Sequence, residues 1–183
     1  MQGSRPNIRA FTSRYKYRMR ILENEVEIAE AFDHNDTSIK PNLIKYQCIW
    51  DTGATGSVIT TKVVNNLGLR PIGKTICQTV GGQKEQNVYL VAIMLPNGVG
   101  FPSIPVTEGE IGNYDVLIGM DIIGVGDFAV TNEGGKTVLS YQLPSTETID
   151  FVEQLKKSYP PLPTPDEKRK ARNRRKRDKR KKK

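Results

Sequence analysis

Asp51, Thr52, Gly53, Ala54 and Thr55 follow directly on Ile49-Trp50 in the stretch YQCIWDTGATGSVIT, residues 46–60. Asp and Gly together ordinarily mark a turn. A surface turn would have polar neighbours, however, and this one ends an apolar run that reads as a buried strand. Asp is depleted in strands and seldom fully buried without a partner. A carboxylate at the end of a core strand, with small and hydroxylated residues crowded behind it, is a candidate general acid or base. Two later segments accompany it. Gly81-Gly82 sits between the β-rich arms of KTICQTVGGQKEQNVYLVAIML, a hairpin pattern, and Leu117-Ile118-Gly119 is a second apolar segment closed by Gly.

Other chemistries are weaker. Residues 68–75, GLRPIGKT, match the G-x-x-x-x-G-K-[ST] pattern of phosphate-binding loops. That loop needs a strand before it and a helix after it; here a helix ends at Gly68 and β-branched residues follow. Cys48, Cys77 and the single His34 make neither a disulfide framework nor a usual zinc site, so no metal or cofactor is expected. The cysteines read as small apolar strand residues, and His34 as an exposed member of a polar turn.

The elements that must position Asp51 are mostly strands. Tyr15–Phe32 alternates in YKYRMRIL and again around Val26 and Ile28. Glu and Ala leave a helix open for Glu23–Phe32, but strand is preferred. DHNDTSIKPN (33–42) is turn-rich. Thr60 or Thr61 can cap a short helix with Val63, Val64 and Leu67 inward, stopped by Gly68 and Pro71. PNGVGFPSIPVTEGEIGNY reads as loop and short strand, DVLIGMDII as a compact apolar run, and FAVTNEGGKTVLSYQL as a hairpin turning at Gly134-Gly135. In TETIDFVEQLKKSY, Ile149, Val152 and Leu155 share a helical face, and PPLPTP is a stiff spacer.

The expected organisation is a flexible basic N-terminal arm (1–14), an all-β domain (15–145), a short amphipathic helix (146–159), a Pro-rich linker (160–165) and a disordered basic tail (166–183). Hydrophobic content is 37%, below the roughly 45–50% usual for globular domains, a figure that also counts Gly. The tail explains the net charge of +8: residues 166–183 hold 13 Lys/Arg against 3 Asp/Glu, and the rest is close to neutral at −2. The tail could contact nucleic acid or an acidic surface through phosphates, though without interleaved aromatics for base stacking. The N-terminus has no apolar leader, and no run approaches the ~18 apolar residues of a membrane span. A cytoplasmic protein is expected, or a nuclear one if the source is eukaryotic.

DTGAT at 51–55, TVGGQ at 79–83 and VLIGMD at 116–121 together resemble the retropepsin-like aspartic proteases, over about residues 24–143. The resemblance implies a closed β barrel with a flap hairpin and one or two short helices, acting as a C2 homodimer on a protein or peptide substrate. It implies that Asp51 is catalytic and that Thr52 hydrogen-bonds across the interface. Gly53 would offer its carbonyl to substrate, with Ala54 and Thr55 continuing the loop. Val80, Gly81 and Gly82 would form the flap tip, and Ile118 and Gly119 would pack behind the catalytic loop. Asp121 departs from the retroviral pattern and reads as structural, paired with a basic residue.

Hydrolysis by this route needs two close carboxylates sharing one proton, because like charges that near cannot both ionise. The chain has one Asp-Thr-Gly and no second, so a symmetric dimer must supply the other Asp51. The expected function is an aspartic endopeptidase. The alternative is a non-catalytic retropepsin-like peptide-binding or dimerisation module, nucleic-acid-associated through its tail.

Overall fold

In chain order the strands are β1 (Arg9–Arg14), β2 (Leu22–Glu30), β3 (Ile44–Trp50), β4 (Val58–Ile59), β5 (Gly73–Thr79), β6 (Gly82–Met94), β7 (Gly100–Glu108), β8 (Val116–Ile118), β9 (Asp127–Thr131) and β10 (Val138–Leu143). Helix α1 (Thr61–Leu67) follows β4, α2 (Met120–Ile123) follows β8, and α3 (Phe151–Ser158) and α4 (Pro165–Lys181) follow β10. This computed structural model describes residues 7–79, 82–96, 98–159 and 164–181. The chain divides into two units, Met1–Thr146 and Glu147–Lys183.

Period-two alternation builds the larger sheet of the first unit. In β3, Tyr46, Cys48 and Trp50 are buried while Lys45 and Gln47 are exposed, so one face is core and the other solvent. The sheet order is β2-β3-β8-β4-β7-β6-β5, and β2 also pairs with β6, so the run of pairings that leaves β2 returns to it. At its centre β8 runs parallel to β3, with Cys48↔Val116 and Trp50↔Ile118, and antiparallel to β4. β8 is therefore held on both edges, and Val116 and Ile118 have no solvent exposure.

The smaller sheet, β1-β10-β9, packs its aromatic residues onto the end of β3. Trp50 stacks on Phe128 (centroids 5.6 Å apart, planes at 26°) and meets Tyr141 at 5.5 Å and Phe11 at 5.8 Å. Its indole N–H donates to Asn24 Oδ1. Tyr141 donates its hydroxyl proton to Ile122 O at 2.7 Å, and burial, helped by the Asp127 carboxylate, pushes its pKa up to about 12. The residue before Asp51 is thus anchored from two sheets.

The structure differs from the sequence reading in several places. Residues 15–21 form no strand: Tyr15 N–H donates to Thr137 O, Thr137 N–H to Tyr17 O, and Met19 N–H to the Thr137 hydroxyl. The segment wraps one buried threonine instead of joining a ladder, which leaves Tyr17 and Ile21 exposed despite the alternation. Part of the expected arm, Arg9–Arg14, is a strand paired with β10 from Arg9↔Leu143 to Arg14↔Val138. β7 is nine residues long although it contains Pro102 and Pro105; the register against β6 shifts between Val91 and Ile93, the kind of irregularity that accommodates proline. Thr60 occupies the N-cap of α1, but its hydroxyl makes no capping bond.

The second unit carries two helices. Asp150 caps α3, accepting from Val152 N–H and Glu153 N–H, so Ile149 lies ahead of the helix and not on its face. α4 spans most of the stretch read as a disordered tail. Thr164 and Glu167 form a reciprocal capping box, Glu167 N–H to the Thr164 hydroxyl at 3.3 Å and Thr164 N–H to Glu167 Oε2 at 2.7 Å, with Pro165 at the first helical position. The sequence T-P-D-E carried that signal. Residues 160–163 of the expected linker lie outside the described residues.

Candidate active site

Asp51 is the first residue beyond β3. Its N–H donates to Ile118 O at 3.0 Å, which extends the pairing with β8 one step past the ladder and fixes the backbone at the carboxylate. Ala54 N–H returns to Asp51 O at 3.2 Å, closing the loop. Gly53 N–H donates to Asp51 Oδ1 at 2.8 Å. A Cβ on Gly53 would stand 3.1 Å from that same oxygen, closer than ordinary carbon–oxygen contact, so glycine lets the amide come this near. Asp51 and Ala54 are half-buried, while Thr52, Gly53 and Thr55 are exposed. Among the described residues no hydrogen bond joins Asp51 to a second carboxylate.

Ile118 and Gly119 lie against this loop. Met120 N–H donates to Ala54 O at 2.9 Å. A Cβ on Gly119 would fall 2.6 Å from both the carbonyl carbon and oxygen of Gly56, and 3.1 Å from Ala54 O. Only glycine permits that backbone approach.

Sequence reasoning missed Ser57, which is buried at 1% exposure. Its N–H donates to Asp121 Oδ2 and its hydroxyl to Asp121 Oδ1, both at 2.8 Å. In turn the hydroxyl oxygen accepts from Gly119 N–H at 3.1 Å. Asp121 Oδ1 also accepts from Ile122 N–H at 3.0 Å. Asp121 therefore pins the Asp51–Thr55 loop to the second motif through Ser57, not through the basic residue expected. The available signal was a hydroxyl placed between Gly56 and the apolar pair Val58-Ile59.

The hairpin of β5 and β6 is paired from Gly73↔Val88 to Thr79↔Gly82. Gly82 has φ +104°, a conformation L side chains rarely adopt. Val80 and Gly81 of the expected flap tip lie outside the described residues. At the base of this hairpin Glu108 accepts from the Thr61 hydroxyl (2.7 Å), Asn87 Nδ2 (3.1 Å) and the Tyr89 hydroxyl (2.9 Å), which ties β6, β7 and α1 together. The Thr61 hydrogen bond holds the Glu108 carboxyl below its usual value of 4.5 against the opposing effect of burial, with weaker help from the Asn87 and Tyr89 hydrogen bonds. A depressed folded pKa adds stability that is present above the unfolded value and lost as pH falls through the folded one. The expected result is that Glu108→Gln lowers the urea midpoint at neutral pH and that the gap to wild type narrows as pH falls below 4.5; an equal gap at every pH would refute it.

Cys48 is buried, its Sγ–H donating to Asn24 Oδ1 at 3.1 Å, and desolvation pushes its pKa up to about 12. It is a packed apolar residue without nucleophilic character. The phosphate-loop pattern at 68–75 is also accounted for: α1 precedes Gly68 and β5 begins at Gly73, the reverse of the order that motif requires.

A family model described as aspartyl protease matches residues 37–122, a span that includes Asp51, the β5–β6 hairpin and Asp121. No curated protein matches the chain. Among solved structures it is similar to a retropepsin-like aspartic protease from Rickettsia conorii, with 15% identity, 74% of this chain and 94% of that chain covered, and a TM-score of 0.47. It is similar to EIAV protease complexed with the inhibitor HBY-793, with 27% identity, 57% and 86% covered, and a TM-score of 0.42. It is also similar to the retroviral protease-like domain of Ddi1 from Leishmania major, with 15% identity, 70% and 100% covered, and a TM-score of 0.38.

Proposed function

We propose that this chain, which over residues 37–122 matches a family model described as aspartyl protease, is a retropepsin-like endopeptidase whose active site forms between two copies. The observation that carries this reading is the fixed end of β3. Asp51 is held by Ile118 O on one side and by its own loop on the other, on an exposed loop, with no second carboxylate bonded to it among the described residues. A two-fold axis beside Thr52 and Gly53 supplies the missing partner. The ring of pairings from β2 back to β2 is read as the closed barrel of such a subunit.

In the assembled site the two Asp51 carboxyls share one proton. The ionised one takes a proton from a bound water as the water oxygen attacks the scissile carbonyl carbon. The protonated one donates to the carbonyl oxygen, giving a neutral tetrahedral diol. Collapse of the diol passes a proton to the leaving nitrogen and releases acid and amine. Thr52 braces the two loops against each other, Gly53 presents its carbonyl to the peptide, and Ala54 and Thr55 complete the loop. The β5–β6 hairpin closes over an extended peptide and excludes water.

Two tests follow from half a site per chain. On a dilution series, cleavage of a peptide library and molecular mass by sedimentation should fall together, since dissociation separates the two carboxyls. A monomer with undiminished specific activity would overturn the proposal. The pH–rate profile should be bell-shaped on the acidic side of neutrality, both limbs belonging to the pair jointly, and a chain ending at Tyr159 should keep it. A single rise to an alkaline plateau points to other chemistry.

A further inference from the structure

The second unit holds an exposed apolar helix face followed in sequence by a dense positive charge. In α3, Phe151, Val152 and Leu155, with Tyr159 at the C-cap, fall within about 100° of one another around the axis. Each is exposed, by 59–77%. Glu153, Gln154 and Lys157 occupy the other side, and Glu153 pairs with Lys156 at 2.8 Å. α4 has no such stripe: its sequence, PDEKRKARNRRKRDKRK, offers only Pro165 and Ala171 as apolar residues. What it adds is charge, in a segment where 13 Lys/Arg face 3 Asp/Glu.

We propose that α3 and α4 form a peripheral anchor for an anionic lipid bilayer. The apolar stripe of α3 enters the boundary between headgroups and acyl chains while the exposed basic side chains of α4 between Lys168 and Arg174 meet lipid phosphates. Either signal alone is weak. A two-turn amphipathic helix buries too little to hold a domain at a membrane, and a basic segment alone is screened by salt within about a Debye length. Stable attachment takes two such signals together, and this unit carries both in succession. A nucleic acid would be served by the charge alone and leave the apolar stripe in water, and the basic segment has no aromatics to stack on bases. Among the described residues no helix is long and apolar enough to cross a membrane, so the contact is with the surface of the bilayer.

The test is co-sedimentation of the full chain with vesicles, one set of phosphatidylcholine alone and one of phosphatidylcholine with phosphatidylserine. It compares the unaltered sequence with the double substitution Phe151→Ser and Leu155→Ser, which leaves every charge in place. Trp50, the one tryptophan, is buried in the first unit and reports that this unit stays folded. The unaltered chain should pellet with the anionic vesicles only, less so as salt rises, and the serine variant should bind them at least about tenfold more weakly. Equal binding by the serine variant would overturn the anchor in favour of the basic helix acting alone. Absence of vesicle binding by the unaltered chain also overturns it, and retardation of a nucleic-acid duplex in that case identifies the other partner class. Neither readout depends on catalysis.

Discussion

Asp51→Asn is expected to abolish peptide hydrolysis while leaving the protein folded. The fold should tolerate the change because the Asn carboxamide oxygen can still accept the Gly53 N–H that Asp51 Oδ1 accepts at 2.8 Å. Chemistry should not tolerate it, because an amide neither takes a proton from water near neutral pH nor donates one as an acid. In a symmetric pair the substitution removes both members at once. General acid and base each contribute about 10²–10⁴-fold, and residues that act as a unit are lost together, so a fall of at least about 10⁴-fold is expected. The measurement is turnover of a cleaved peptide by the two proteins, with Trp50 fluorescence and sedimentation as controls for fold and assembly. Turnover within tenfold of wild type by well-folded Asp51→Asn would remove the aspartic mechanism.

The second large effect is on stability. Asp121→Ala withdraws the acceptor from Ser57 N–H, from the Ser57 hydroxyl and from Ile122 N–H. Ser57 is buried, so its groups gain no water in exchange. At about 1–3 kcal/mol for each buried group left unpaired, discounted for the half-exposed carboxylate, the loss is about 3 kcal/mol. For a domain of this size that is a fall in Tm on the order of 10 °C. Activity should fall further than the folded fraction does, because the same carboxylate, through Ser57, docks Gly56 against Gly119 behind the Asp51–Thr55 loop. Asp121→Asn should recover only part of the loss, since its NH2 group must face an N–H donor. An unchanged Tm for Asp121→Ala would show the pin to be dispensable.

Much of the setting of the Asp51–Thr55 loop could be read in the sequence because it is local. The strand ending at Trp50, the helix with Val63 and Val64 inward, Gly68 at its end and the hairpin at Gly134-Gly135 all depend on periodicity and turn chemistry within a few residues. The contacts that fix Asp51 are another matter. Asp51 N–H to Ile118 O and Ser57 to Asp121 join positions more than sixty residues apart, and no periodic pattern records which distant residue fills a hydrogen bond. The alternation of Tyr15, Tyr17, Met19 and Ile21 misled for the same reason: the backbone there is committed to Thr137, a partner visible only in three dimensions. β1, by contrast, has a single buried side chain, Phe11, and gives almost no hydrophobic signal of its own. The capping box at Thr164 and Glu167 was legible; the dense charge after it obscured a helix built from good helix formers.

That quiet first strand has a consequence for how the molecule is made. Thr12 and Ser140, facing each other across the smaller sheet, are 128 residues apart in the chain. β1 leaves the ribosome well before β10 and has no ladder to join until β10 has followed. At synthesis rates of about 5–20 residues per second the wait is on the order of ten seconds. An apolar strand left unpaired for that long would offer its edge to other nascent chains. RAFTSR, with an arginine at each end and hydroxyls between, stays soluble through the delay, and the burial of Phe11 against Trp50 and Tyr141 is among the last packing steps the first unit can complete.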